Sequence, residues 1–330
     1  MMKACLYGEL SPMLKGSGIG TAIDQQKKAL ALNGVEVTRS LDDRFDIIDI
    51  NTILPYSAYV ANLMRWKGVP IVMHTHTTVE DIKDSFKYSK KLAPKLRGYL
   101  RYFYGQADLL VSPSEYTRDV LRGYGLKREI RVISNGVDTE RFKPNARLRR
   151  EYRERYGLEG IVPYCVGHVF KRKGVFDFIE LAERFPDNKF MWVGRIYRDL
   201  VDSEVKNIVK KRPGNVMFTG YVKDVIGAYC AGDIFLFPSY CENQGISILE
   251  AAACRKPLIV RDLPTYTGWL EHGRNCLKAK NNQEFAKYIR MLKDDSRLRK
   301  RLADNAYRMS KQHTLKKIGR QLKQAYESIV

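Results

Sequence analysis

No window of this 330-residue sequence approaches the roughly 18 uncharged apolar residues that a bilayer-spanning helix requires. Its longest uncharged stretch, 50–64, is interrupted by Asn51, Pro55 and Asn62. The N-terminus lacks the apolar core and small-residue cleavage site of a secretion signal, so the chain is expected in the cytoplasm. Six cysteines, at 5, 165, 230, 241, 254 and 276, include no pair two or three apart. That excludes the usual zinc spacing and a redox CxxC, and leaves reduced, mostly buried thiols. None of the five histidines belongs to an HExxH, and no Asp-x-Asp occurs, so no metal is expected. Acid is scarce as well: 37 Asp and Glu face 58 Lys and Arg, a net charge of +21. Such a surplus suits nucleic acid, an anionic membrane face or a phosphate-bearing substrate. The sequence carries no homeodomain, zinc-finger or RNP-type pattern, so nucleic acid is not expected as a partner.

What is present is the composition of a folded protein, 44% hydrophobic and 29% charged, too apolar for a disordered chain. Short aliphatic runs alternate with amphipathic stretches of helical length, the signature of parallel sheets with crossover helices. The first half predicts strands near 3–8, 35–39, 45–50, 69–75, 108–112 and 130–134. Helices are predicted between them near 20–33, 57–66, 81–104 and 115–124. The Arg-rich segment 139–157 breaks the rhythm and carries no strand signal. Strands then resume near 161–167, 189–194, 215–219, 233–238, 257–261 and 275–278, and a helical tail covers 296–329. Two sets of about six strands exceed one doubly wound sheet, so the α/β fold is read as two similar Rossmann-like domains.

Two segments suit phosphate. Gly16, Gly18 and Gly20 lie between the first strand and the first helix, where glycines let backbone N–H groups approach an anion. The G-x-G-x-x-G dinucleotide fingerprint is not met, because the sixth position from Gly16 is Thr21, so a dehydrogenase is disfavoured. In the second half, the strand around 234–237 runs into Glu242, Gly245 and a helix bearing Glu250. There the first carboxylate can bind sugar hydroxyls, the glycine-opened helix start a pyrophosphate, and the second carboxylate a ribose. Glu-x7-Glu spacing alone means little, since Glu151 and Glu159 share it, but only Glu242 and Glu250 follow a strand with glycine between.

With these residues in view, the whole sequence resembles the retaining glycosyltransferases of family 4, with their two-domain GT-B architecture. The block from Phe237 to Glu250, the segment from Asn135 to Asp138 with Phe142, Val166-Gly167 with Lys173-Gly174, and the glycine loop carry the likeness. The stretches 74–81, 171–180 and 260–271 look most like those of bacterial diacylglycerol glycosyltransferases. The resemblance implies that Glu242 touches the transferred sugar and Glu250 the donor ribose. It implies that backbone N–H groups of Gly245 and Ile246 hold phosphate, and that Lys173 neutralises the departing pyrophosphate. Tyr221 and Val222 would meet the base, and His76 the reacting sugar. One departure stands out: where many members have Arg after the glycine that opens the donor domain, this chain has His168, with Arg172 as a possible replacement. The implied reaction moves a hexose, glucose from a UDP-linked donor as first choice, to a membrane lipid with an α-linkage. It needs no metal and no cofactor, the nucleotide sugar being a substrate. UDP-galactose and GDP-mannose stay open as donors, and glycans or soluble polyols as acceptors. A nucleotide-sugar binding module without catalysis is the non-enzyme alternative.

The expected domains are 1–143 on the acceptor side, 144–305 on the donor side, and a helix over 306–330 returning to the first. Much of the positive charge is local. Lys87, Lys90, Lys91, Lys95, Arg97 and Arg101 share 85–107 with six aromatics and no acid. That mixture suits peripheral binding to an anionic membrane, here the inner face of the cell membrane, and Pro94 is expected to split the segment into two helices. A solvated helix with its rings turned to the core has the same sequence. The tail 287–323, thirteen basic residues against three Asp, fits a membrane or a solvated surface equally.

Overall fold

The computed structural model describes residues 2–9, 16–83, 89–197 and 199–330, with 89–92 as backbone alone. The described residues form two compact units: one of residues up to 82, 90–136 and 313–330, the other of 83, 89 and 137–312. The first holds β1 (Lys3–Tyr7), β2 (Glu36–Thr38), β3 (Ile47–Ile50), β4 (Ile71–His74), β5 (Leu109–Ser112) and β6 (Ile130–Val132). The second holds β7 (Pro163–Val166), β8 (Phe190–Val193), β9 (Val216–Phe218), β10 (Ile234–Phe237), β11 (Leu258–Arg261) and β12 (Leu277–Ala279). Each set forms one sheet, ordered β2-β1-β3-β4-β5-β6 and β12-β11-β10-β7-β8-β9. Every pairing is parallel. In β3, β5, β8 and β10 all four residues are buried, as a sheet covered by helices on both faces demands.

The strand order reverses between β1 and β3 in the first unit and between β7 and β10 in the second. Beyond the carboxyl ends of the strands at such a switch, neighbouring loops part and open a ligand crevice. All twelve expected strands are present, so the two-domain α/β reading holds.

Three helices differ from expectation. Ser89–Tyr104 is a single helix with Pro94 inside it rather than two helices broken there. An interior proline costs about 3 kcal/mol. Here Leu100, Phe103 and Tyr104 are buried in the first unit's core, with Leu96 and Tyr99 packed against it, and that burial outweighs the lost bond. Ala146–Tyr156 forms a helix where no element was expected, capped by Asn145, whose side chain accepts from the Leu148 N–H. The basic tail divides at a 3-10 turn, Lys311–His313, between the helices Ser296–Ser310 and Leu315–Glu327. The last helix belongs to the first unit, burying Ile318, Leu322, Ala325 and Tyr326 in its core.

Candidate active site

In the second unit the switch point gathers the residues singled out from the sequence. After β7 the chain passes Gly167 and His168 into the 3-10 turn Lys171–Lys173. Gly174 then takes φ 78°, and a Cβ there would collide with the Pro238 carbonyl, so only glycine lets this turn sit on the end of β10. The Tyr240 N–H donates to the Arg172 carbonyl at 2.8 Å, locking the two loops together. Lys173 Nζ lies 2.5 Å from Glu242 Oε1, and an Arg172 guanidinium nitrogen lies 3.6 Å from the same oxygen. Arg172 also donates to the Cys241 carbonyl at 2.7 Å. Burial alone would raise the Glu242 carboxyl, but Lys173 and Arg172 together hold it below its ordinary value. The cluster is thus one carboxylate between two cations.

Gly245 opens the helix Ile246–Ala253, and no side chain caps it. Such a helix start suits an anion. One turn further on, Glu250 is buried and accepts from Tyr229 Oη at 2.6 Å. Burial pushes its carboxyl up to about 7, against the opposing effects of Tyr229 and Arg141. Sequence reasoning missed Tyr229 and Arg141, whose positions show no motif.

His168 sits edge-on to Tyr197 and Phe170. Burial, then Lys173, Arg195 and Arg172, lower its pKa to about 4, so it is neutral. The stand-in suggested for it, Arg172, is already bound to Glu242 and the Cys241 carbonyl. The Gly220 carbonyl accepts from the Gly194 N–H at 3.0 Å, which sets the Tyr221–Val222 turn beside the end of β8. Tyr221 is exposed there, and Val222 is partly buried.

In the first unit, Gly16 and Gly18 flank Ser17, whose hydroxyl accepts from the Gly20 N–H at 3.1 Å and caps the helix Gly18–Ala31. His76 is partly exposed past the end of β4, and burial with His74 beside it lowers its pKa to about 3, so it is neutral. Its Nε2 lies 2.9 Å from Asn51 Oδ1 and 3.3 Å from Gln26 Nε2. Beneath it, His74 Nε2 is 2.9 Å from Asp49 Oδ2, and Tyr326 of the last helix donates to the same carboxylate. Asp49, fully buried in mid-strand, is the signal that could have revealed this network.

Of the six basic residues proposed for a membrane, Lys87 lies outside the described residues and Lys90 and Lys91 are described as backbone alone. Lys95, Arg97 and Arg101 are exposed. Most of the described rings on that helix turn inward; Tyr102 is exposed. The neighbouring helix Pro55–Trp66 adds exposed Tyr56, Tyr59 and Trp66, the last 84% accessible, with exposed Arg65 and Lys67. Asn62 Nδ2 on it donates to Tyr102 Oη at 3.3 Å, so the two helices meet at that exposed ring.

The glycosyl transferases group 1 family pattern matches residues 149–309, and that of glycosyltransferase family 4 matches 27–141. The processive diacylglycerol alpha-glucosyltransferase of Acholeplasma laidlawii is 34% identical over all of this chain and 99% of its own. The alpha-galactosylglucosyldiacylglycerol synthase of Streptococcus pneumoniae is 30% identical over 79% of this chain and 73% of its own. In fold, Anabaena HepE in complex with UDP and glucose superposes with a TM-score of 0.80 at 20% identity, covering 99% of this chain and 100% of that one. Sucrose-phosphate synthase of Thermosynechococcus elongatus gives a TM-score of 0.81 at 17% identity, covering 99% of each. The chain belongs to the family 4 (group 1) glycosyltransferases and is an enzyme of the GT-B fold.

Proposed function

We propose that this enzyme transfers a hexose, glucose in the first instance, from a UDP-linked donor to a diacylglycerol-type lipid, with retention of the α-configuration. The observation that carries the donor side is the cluster of Glu242, Lys173 and Arg172, with the uncapped helix start at Gly245 and Ile246 following Glu242 in the same loop. Glu242 accepts hydroxyls of the sugar, the helix N–H groups take the diphosphate, and Glu250 accepts the ribose hydroxyls. As the glycosidic bond breaks, negative charge grows on the leaving diphosphate. Lys173 and the fixed N–H dipoles stabilise it without reorganising, so no metal is required.

Glu242 is held between two cations rather than poised as a nucleophile, which favours attack on the leaving-group face. The departing phosphate then helps to take the acceptor proton. Neutral His76 donates or accepts a hydrogen bond at the reacting sugar. The relatives named for diacylglycerol substrates support the lipid acceptor and glucose. The surface of Tyr56, Tyr59, Trp66, Tyr102, Lys95 and Arg101 supports peripheral docking on the anionic inner face of the membrane.

The test is Glu242→Gln, which keeps the shape and removes the charge. Transfer should fall by about a hundredfold or more with thermal stability retained. Near wild-type turnover would sink the site assignment.

A further inference from the structure

We propose that Arg195, at the carboxyl end of β8, is the second cation of the donor diphosphate site, in place of His168 and Arg172. This deepens the donor reading above and rests on it. The first ground is charge. Lys173 and Arg172 both face Glu242, so that cluster nets a single positive charge. The diphosphate of a nucleotide sugar carries two negative charges, and more develops as it leaves. Neutral His168 contributes none.

The second ground is the state of Arg195 itself. It is half-buried, and among the described residues its guanidinium has no carboxylate partner. It lies over the rings of Tyr221 at 5.1 Å and Tyr197 at 5.6 Å. A partly desolvated guanidinium with only ring faces for company gains from a bidentate anion.

The third ground is position. Val166 pairs with Val193 across β7 and β8, so Val-Gly-His and Val-Gly-Arg end side by side. A Cβ on Gly194 would collide with the Gly167 carbonyl, and the Val169 N–H donates to the Arg195 carbonyl at 3.1 Å. The glycine at 194 is what allows this approach, and it sets residue 195 beside residue 168. A cation lost from one strand end is thus supplied from the next.

The test measures binding of UDP, UMP and uridine by calorimetry to wild type, Arg195→Met and the double variant H168R/R195M. Methionine keeps an unbranched apolar stem on the two rings, so the fold should survive. R195M should weaken UDP by about tenfold to a hundredfold, the loss of one or two charge-assisted bonds. Uridine should change by less than about twofold, and UMP should fall between. Turnover should drop more than KM rises, because the charge is greatest as the diphosphate departs. Arginine at 168 should recover most of the lost UDP affinity. The inference is overturned by R195M binding UDP like wild type, or by equal losses of uridine and UDP, which would make Arg195 a base contact. A folded double variant as weak as R195M also counts against it. Wild type binding neither UDP nor GDP would refute the donor reading beneath it.

Discussion

As the proposed ribose ligand, the Glu250 carboxyl should make donor binding a proton-linked event, tightening as pH rises. Its pKa is about 7, because burial outweighs Tyr229 and Arg141. A carboxylate that accepts both ribose hydroxyls must be ionised, so only the deprotonated fraction of the protein is competent. That fraction is roughly one in eleven at pH 6 and ten in eleven at pH 8 for a pKa near 7, and apparent affinity scales with it. The dissociation constant for a nucleotide sugar should therefore tighten about tenfold from pH 6 to pH 8, or about 1.4 kcal/mol. The probe must be the intact nucleotide sugar, since the terminal phosphate of UDP itself titrates near 6. Calorimetry at pH 7 in two buffers of different ionisation heat should show about half a proton released per donor bound.

Stability runs the other way. Raised above its unfolded value, this carboxyl contributes stability that is full below about pH 4.5 and is lost as pH rises through 7. The loss amounts to roughly 3 kcal/mol. Glu250→Gln should bind donor more weakly, with no slope in pH, and should melt higher than wild type at pH 8. A wild-type affinity that is flat between pH 6 and 8, or tighter at pH 6, refutes the reasoning.

Other consequences are direct. Tyr326→Phe removes a donor from buried Asp49 and should cost about 1–3 kcal/mol. Turnover should fall with it; an unchanged melting profile would deny the network its role. Gly174→Ala pushes a Cβ into the Pro238 carbonyl and should separate the Lys173 turn from β10, lowering donor affinity and thermal stability together. Donor binding equal to wild type would show that the turn tolerates the shift. Replacing Tyr59 and Trp66 by Ser, or Lys95 and Arg101 by Glu, should reduce flotation on anionic vesicles, the charge variants more steeply at low salt. Unchanged flotation would remove the docking surface.

The difference between what the sequence disclosed and what it hid follows from range. The strands were legible because most are short apolar runs, several followed at once by Gly, Pro or Asn, a signal complete within a few residues. Ala146–Tyr156 was not, because Tyr152 is its buried anchor and its other positions are mostly charged or small, so no apolar stripe announces it. Pro94 misled for the reverse reason: the local rule was obeyed by the residue but overridden by Leu100, Phe103 and Tyr104 packing on strands distant in sequence. In the site, Glu242, Gly245 and Glu250 were visible together because one strand-turn-helix carries all three. The bond from Lys173 to Glu242 spans 69 residues, and that from Tyr326 to Asp49 spans 277. Neither could be seen until the sheet order placed β7 beside β10 and returned the last helix to the first unit. Arg195 lies between these cases. Val-Gly-His and Val-Gly-Arg are a repeated local pattern, but the pattern has meaning only once β7 and β8 are known to be neighbours. The functional residues of this fold are thus readable in proportion to how much of the site one crossover unit carries, and a cation displaced to an adjacent strand is where reading the sequence alone fails first.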